Sequence, residues 1–109
     1  MSKYLQRYLL AVEYPDVSGF EHLDMLLLRD KLAQASSQLT PDQQAKLAVA
    51  DQRLLSQAAA FYGALSQITD LASERQQRQP PPEHWWWYLD VLAQPPLRQR
   101  ILATTLIAV

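Results

Sequence analysis

TPDQQAKLAVADQRLLSQAAAFYGALSQITDLASERQQR, residues 40–78, is the stretch on which the fold turns. Thr40 offers a hydroxyl to a free backbone N–H, Pro41 suits the first helical position, and Gln43 stands where its amide returns to the Thr40 N–H. Together they make a capping box. Leu47, Ala50, Leu54, Ala58, Phe61, Leu65, Ile68 and Ala72 then recur at steps of three and four, the period of one helical face and close to a heptad. No proline intervenes before Pro80. The pattern predicts one helix over roughly 41–77, about 55 Å long at ~1.5 Å per residue. Gly63 is its weak point, where a bend is expected.

Upstream, Tyr4, Leu5, Tyr8, Leu9 and Val12 predict a first helix over about residues 3–13, stopped by Pro15. Ser18-Gly19-Phe20-Glu21 reads as a second capping box. The helix it opens carries Leu23, Met25, Leu26, Leu27, Leu28, Leu32 and Ala35, too broad a band for one stripe, so contacts on two sides are expected. The tight connection at 38–41 sets helices two and three as an antiparallel hairpin. Helix two reaches back only to about Phe61. Phe61, Leu65, Ile68 and Ala72 therefore form a face that needs cover, from the first helix, from the later aromatic segment or from a second copy of the protein.

Downstream, Glu74 to Pro82 is polar and then proline-rich, and reads as a stiff hinge. A short helix is expected from Glu83 to about Ala93 and a last one from Leu97 to Val109, separated by Gln94-Pro95-Pro96. The expected fold is all-α: a long helical hairpin domain over 1–79, then a hinge, an aromatic helix and an apolar helix over 80–109.

Composition bounds the function. The 109 residues hold no Cys and two Gly, which removes disulfides, cysteine metal sites, a Cys nucleophile and a Gly-rich phosphate loop. Ten basic residues against eleven acidic ones, for a net charge of −1, argue against a nucleic-acid partner, which needs a basic face. The opening residues do not read as a signal peptide, because Gln6, Arg7 and Glu13 interrupt the apolar run. His22 and His84 each sit beside a glutamate at a helix start and read as first-turn residues, and no spacing supplies further metal ligands. Asp42, Asp51, Asp70 and Glu74 alternate with Lys46, Gln52 and Arg53 and read as a solvated face. No enzyme activity, cofactor, metal or small-molecule substrate is expected. Thirteen glutamines spread along the helices suit either a solvated surface or one that meets another helix without a charge code.

The block Trp85-Trp86-Trp87-Tyr88 holds every tryptophan of the chain. On a helix, three successive indoles point to three sides, so the segment is either wedged in a core or placed at a membrane interface. Arg98 and Arg100 then precede nine uncharged residues, Ile101 to Val109. One reading is the front of a membrane protein cut at the start of its first span, with Trp85, Trp86, Trp87, Tyr88, Arg98 and Arg100 at the interface. The other is a terminal helix packed on the hairpin. Residues 82–90, PEHWWWYLD, with the Arg-flanked apolar run after them, resemble the Trp-rich juxtamembrane segment of uncharacterised membrane-anchored cyanobacterial proteins. That resemblance implies a helical cytoplasmic front held at a membrane. It carries no catalytic residue.

The expected function is a non-catalytic helical protein-interaction module, cytoplasmic, at the cytoplasmic face of a membrane. The alternative is a soluble, self-associating helical adaptor or assembly factor. The expected partners are another protein or a second copy, met through the helices, together with a membrane surface.

Overall fold

The computed structural model describes residues 2–94. Among them are six α-helices, two 3-10 turns and no strand, so the all-α expectation holds. The helices are α1 (Ser2–Ala11), α2 (Gly19–Gln34), α3 (Pro41–Ser56), α4 (Ala58–Leu65), α5 (Leu71–Arg78) and α6 (Leu89–Leu92). The 3-10 turns are Ser36–Gln38 and Trp85–Tyr88.

The Thr40 box forms as expected. Gln43 N–H donates to Thr40 Oγ1 at 3.2 Å, and Thr40 N–H donates to Gln43 Oε1 at 2.9 Å. The second box does not form. Ser18 occupies the N-cap position, but its hydroxyl makes no capping bond. Ser18 and Glu21 are both exposed, and water serves a free N–H there as well as a side chain does.

The single long helix expected over 41–77 is three helices, which corrects the hairpin spine. Three polar side chains divide it. Ser56 Oγ donates to the Arg53 carbonyl at 2.9 Å, a bond back into the ladder that bends a helix. Gln57 leaves helical geometry at φ −109°, ψ 19° and separates α3 from α4. Ser66 Oγ does the same to the Gly63 carbonyl at 2.8 Å, at the end of α4. Asp70, in extended conformation, then starts α5 afresh by accepting Ala72 N–H at 3.1 Å and the Ser73 hydroxyl at 3.0 Å. Gly63, the expected bend, lies inside α4. The divisions let the chain turn, so the molecule measures 39 × 36 × 26 Å along its principal axes, too short for the straight helix.

The packing follows. α2 lies against both α1 and α4, as its broad apolar band requires, and α1 also meets α3. α4 packs on α6, and α5 on the aromatic turn and α6. Gly19 makes the α2–α4 approach possible: a Cβ there would overlap the Ala64 carbonyl oxygen. One core cluster gathers Leu5 and Tyr8 of α1, Met25, Leu26 and Leu32 of α2, Leu54 of α3, Phe61 and Leu65 of α4, Leu71 of α5, and Trp86, Trp87 and Leu89. Residues 85–92 therefore share a core with the helices before Pro80, across the boundary expected at 79/80.

Pro80 disfavours right-handed helix at the residue before it, so α5 stops ahead of it. Gln79 ends α5 in the left-handed region at φ 48°, its N–H on the Arg75 carbonyl at 2.8 Å. The α-helix expected from Glu83 to Ala93 is a 3-10 turn followed by one α turn. With three residues per turn, Trp86 and Leu89 fall on the same side, and both are buried. The helix expected over 97–109, with Arg98 and Arg100, lies outside the described residues.

Candidate functional site

The most concentrated chemistry lies where the aromatic turn meets α2. Asp30 Oδ1 accepts the Trp86 indole N–H at 2.8 Å and the Trp87 indole N–H at 2.9 Å. His84 Nδ1–H donates to the same oxygen at 2.9 Å. The His84 ring stacks on Trp86, centroids 4.5 Å apart. Trp86 and Trp87 are 1% and 0% exposed. Burying two indoles leaves two N–H donors that water cannot reach, and Asp30 satisfies both.

The neighbouring residue on α2 joins the same assembly. Arg29 meets Asp51 of α3 in a two-pronged ion pair, Nε to Oδ1 and Nη2 to Oδ2, each at 3.0 Å. Its guanidinium lies 4.3 Å from the Trp86 ring centre. Tyr8 Oη donates to Asp51 Oδ1 at 2.6 Å. Burial, then the Asp51 carboxylate, pushes the Tyr8 hydroxyl pKa far above its usual value. Asp51 was expected on a solvated face; its side chain is 17% exposed and tied to α1 and α2. The far side of the turn is held similarly. Arg75 of α5 donates to Asp90 at 2.6 and 3.0 Å and to the Trp87 carbonyl at 2.8 Å. The Asp90 bond raises the Arg75 pKa above its usual value.

A cleft of about 250 Å3 opens beside this assembly, lined by Asp30, Gln34, Arg78, Gln79, Pro80, Pro81, His84 and Trp87. An imidazole held at Nδ1 by a carboxylate is the frame of a general base. Here the same carboxylate oxygen holds two indoles, and among the described residues no Ser, Thr or Lys lines the cleft to act as nucleophile. Among the described residues, no group of three or more metal-ligating side chains is assembled.

His22 lies in the first turn of α2 as expected, but its role is inward, and His84 lies outside a first turn. His22 is buried, with Nε2–H donating to the Pro15 carbonyl at 2.9 Å and the ring edge-on to Phe61, so it pins the α1–α2 connection to α4. His84 precedes the aromatic turn and anchors it to α2.

The other expected site residues are dispersed. Of the interface set, Trp86 and Trp87 belong to the core, so they present no rings to a membrane; Trp85 is half-buried and Tyr88 is exposed. Arg98 and Arg100 lie outside the described residues. Of the helix-partner face, Phe61 and Leu65 are fully buried by the chain itself. Ile68 is half-buried and Ala72 exposed. The new start at Asp70 resets the helical phase, and Leu71 takes the inward position.

The open apolar surface lies elsewhere. Leu10, Tyr14, Val17 and Phe20 are 59, 51, 38 and 67% exposed, all within eleven consecutive residues. The first three border a groove of about 350 Å3 between α1 and α2. Arg7, Leu10 and Ala11 of α1 line one side, with Tyr14 of the connection beyond them, and Glu21, Asp24, Met25 and Leu28 of α2 line the other. Sequence reasoning passed over this surface. The available signal was two apolar sets in residues 4–14, of which Tyr4, Leu5, Tyr8, Leu9 and Val12 account for one and Leu10 and Tyr14 belong to the other.

No protein-family model matches this chain, and neither the curated proteins nor the solved structures contain a significant match to it.

Proposed function

We propose that this chain is a non-catalytic helical interaction module that docks a protein through the groove between α1 and α2. One observation carries the reading. Large apolar side chains cluster open to solvent along a cleft between two helices, where an otherwise well-packed domain would bury them. The cleft suits a partner helix laid along it. The groove replaces the distal face of the third helix as the docking surface, because Phe61 and Leu65 are covered from within. The polar assembly around Asp30 supports the non-catalytic reading, since His84 and Asp30 are engaged in holding the aromatic turn.

Site-directed photo-crosslinking in cells tests this. A photoreactive side chain at Leu10 or Phe20 is expected to capture a protein, while one at exposed Gln52 on α3 captures none. Equal capture from all three positions, or none from any, would count against docking at the groove.

A location at the cytoplasmic face of a membrane is a second proposal. It is favoured by the half-buried Trp85 and exposed Tyr88, adjacent to the sequence that leads to Arg98, Arg100 and the apolar run 101–109. Among the described residues, no helix is long and apolar enough to cross a membrane. Flotation of the full chain with anionic vesicles is expected, and Arg98→Glu with Arg100→Glu is expected to abolish it. A chain that stays at the bottom of the gradient refutes the proposal.

A further inference from the structure

We propose that the α1–α2 groove is closed in cis by the chain's own segment 97–109. The inference rests on the docking reading above and adds its regulation: a partner gains the groove by displacing the segment. Residues 12–18 connect α1 to α2. Toward this connection the groove is acidic. Glu21 and Asp24 line it, Asp16 adjoins its Val17, and all three are exposed. Among the described residues none of the three forms an ion pair. Arg7 stands toward the other end. A fitting occupant therefore leads with a cation at the connection and continues uncharged. The segment has that order: Arg98 and Arg100, then nine uncharged residues, Ile101 to Val109.

Its spacing and its point of departure agree. On the helix that the sequence predicts there, Arg98, Leu102, Leu106 and Val109 follow one another on a single stripe. Apolar anchors on one helical stripe are the form in which a helix enters a groove. The uncharged run rises about 13 Å as a helix, and the α2 wall from Glu21 to Leu28 rises about 10 Å by the same measure. α6 packs on α4, and α4 meets the start of α2, with Phe61 edge-on to His22 and the Ala64 carbonyl against Gly19. The chain leaving α6 thus has one helix to pass before it reaches the acidic end. From Gln94 to Arg98 it spans up to about 14 Å when extended, more than the ~10 Å width of a helix. With Arg98 beside Glu21, Leu102 comes level with Leu10. A segment seated there is withheld from a membrane, so the two locations compete for it.

The chain has no cysteine, so one introduced thiol reports cover. Leu10→Cys probes the groove. Val49→Cys is the reference: Val49 is 61% exposed against 59% for Leu10, and it lies on α3 outside the groove. Both are made in the full chain and alkylated with iodoacetamide, with thermal melting to confirm folding. The thiol of Leu10→Cys is expected to react about tenfold more slowly than the reference, at a rate independent of protein concentration. Leu102→Asp with Leu106→Asp brings the two rates together. Arg98→Glu and Glu21→Arg each speed the slow reaction, and the two combined slow it again. Equal rates with the segment unaltered overturn the proposal. So does a slow rate that survives both aspartates, or one lost on dilution, which would mean that a second copy supplies the cover. Equal rates together with capture of another protein from Phe20 in cells end this inference and leave the docking reading standing. A slow rate that the aspartates release, with no capture in cells even then, makes the segment a plain part of the fold and ends both.

Discussion

Asp30 on α2 accepts the indole N–H of Trp86 at 2.8 Å, across 56 positions of sequence. The Trp87 N–H and His84 share that oxygen, so one carboxylate holds the whole aromatic turn against the helices. Asp30→Ala is expected to cost on the order of 3–5 kcal/mol, because it strands two buried indole donors at once. Asp30→Asn keeps a carbonyl acceptor and is expected to cost about 1–2 kcal/mol. Urea unfolding followed by tryptophan emission measures both, and equal effects would show that the acceptor oxygen is unimportant.

Arg29 and Asp51 join α2 to α3 with side chains 10% and 17% exposed. Removing either partner leaves the other charge shielded from water, so Asp51→Ala is expected to cost about 3 kcal/mol or more. Losing Asp51 also frees the Tyr8 hydroxyl. A double-mutant cycle of Arg29→Met with Asp51→Leu is expected to show strong coupling, the pair together costing less than the sum of the singles. Additive costs would refute the pairing.

The Tyr8 hydroxyl gives stability an alkaline limit. Its folded pKa lies above the ordinary value of 10.0. Above that pH the unfolded chain has lost this proton while the folded chain keeps it, so stability falls as pH rises. Below pH 10 the contribution is complete. Tyr8→Phe is expected to cost about 1–2 kcal/mol at neutral pH through the lost Asp51 bond. It is also expected to flatten the decline above pH 10. Urea midpoints from pH 7 to 11, for both proteins, decide it; parallel curves would rule Tyr8 out.

The two glycines are expected to respond in opposite directions. At Gly19 an added methyl meets the Ala64 backbone, which cannot rotate away, so Gly19→Ala is expected to cost about 2–3 kcal/mol. At Gly63, inside α4, nothing lies within 4 Å of the added carbon. Gly63→Ala is therefore expected to stabilise by about 0.5–1 kcal/mol. Thermal melts of the two variants check the pair.

How far the sequence reached is clearest at α3. Its start at Thr40-Pro41 and its buried Leu47, Ala50 and Leu54 were all legible. The end was not. Ser56 and Ser66 carry no distinctive signal and Asp70 read as part of a solvated face, because each is tolerated on a wet helical face and the apolar period ran on past them. The aromatic block was legible as an anomaly with two readings, core or membrane. The burial of Trp86 and Trp87 depends on a carboxylate supplied by another helix, which no local pattern announces.

The sequence by itself determined that the chain is helical, where several helices begin, and that it holds no cysteine. The first two follow from interactions between residues three or four positions apart, which spacing alone records. The tertiary structure decided that the long apolar period is broken into three helices, that two tryptophans are core, and that Asp30, Arg29 and Asp51 form one assembly with Tyr8 and His84. It also decided which apolar face stays open. Those outcomes depend on which surfaces the folded chain covers, and a side chain such as Leu10 or Phe61 is the same residue whether its neighbour is water or another helix.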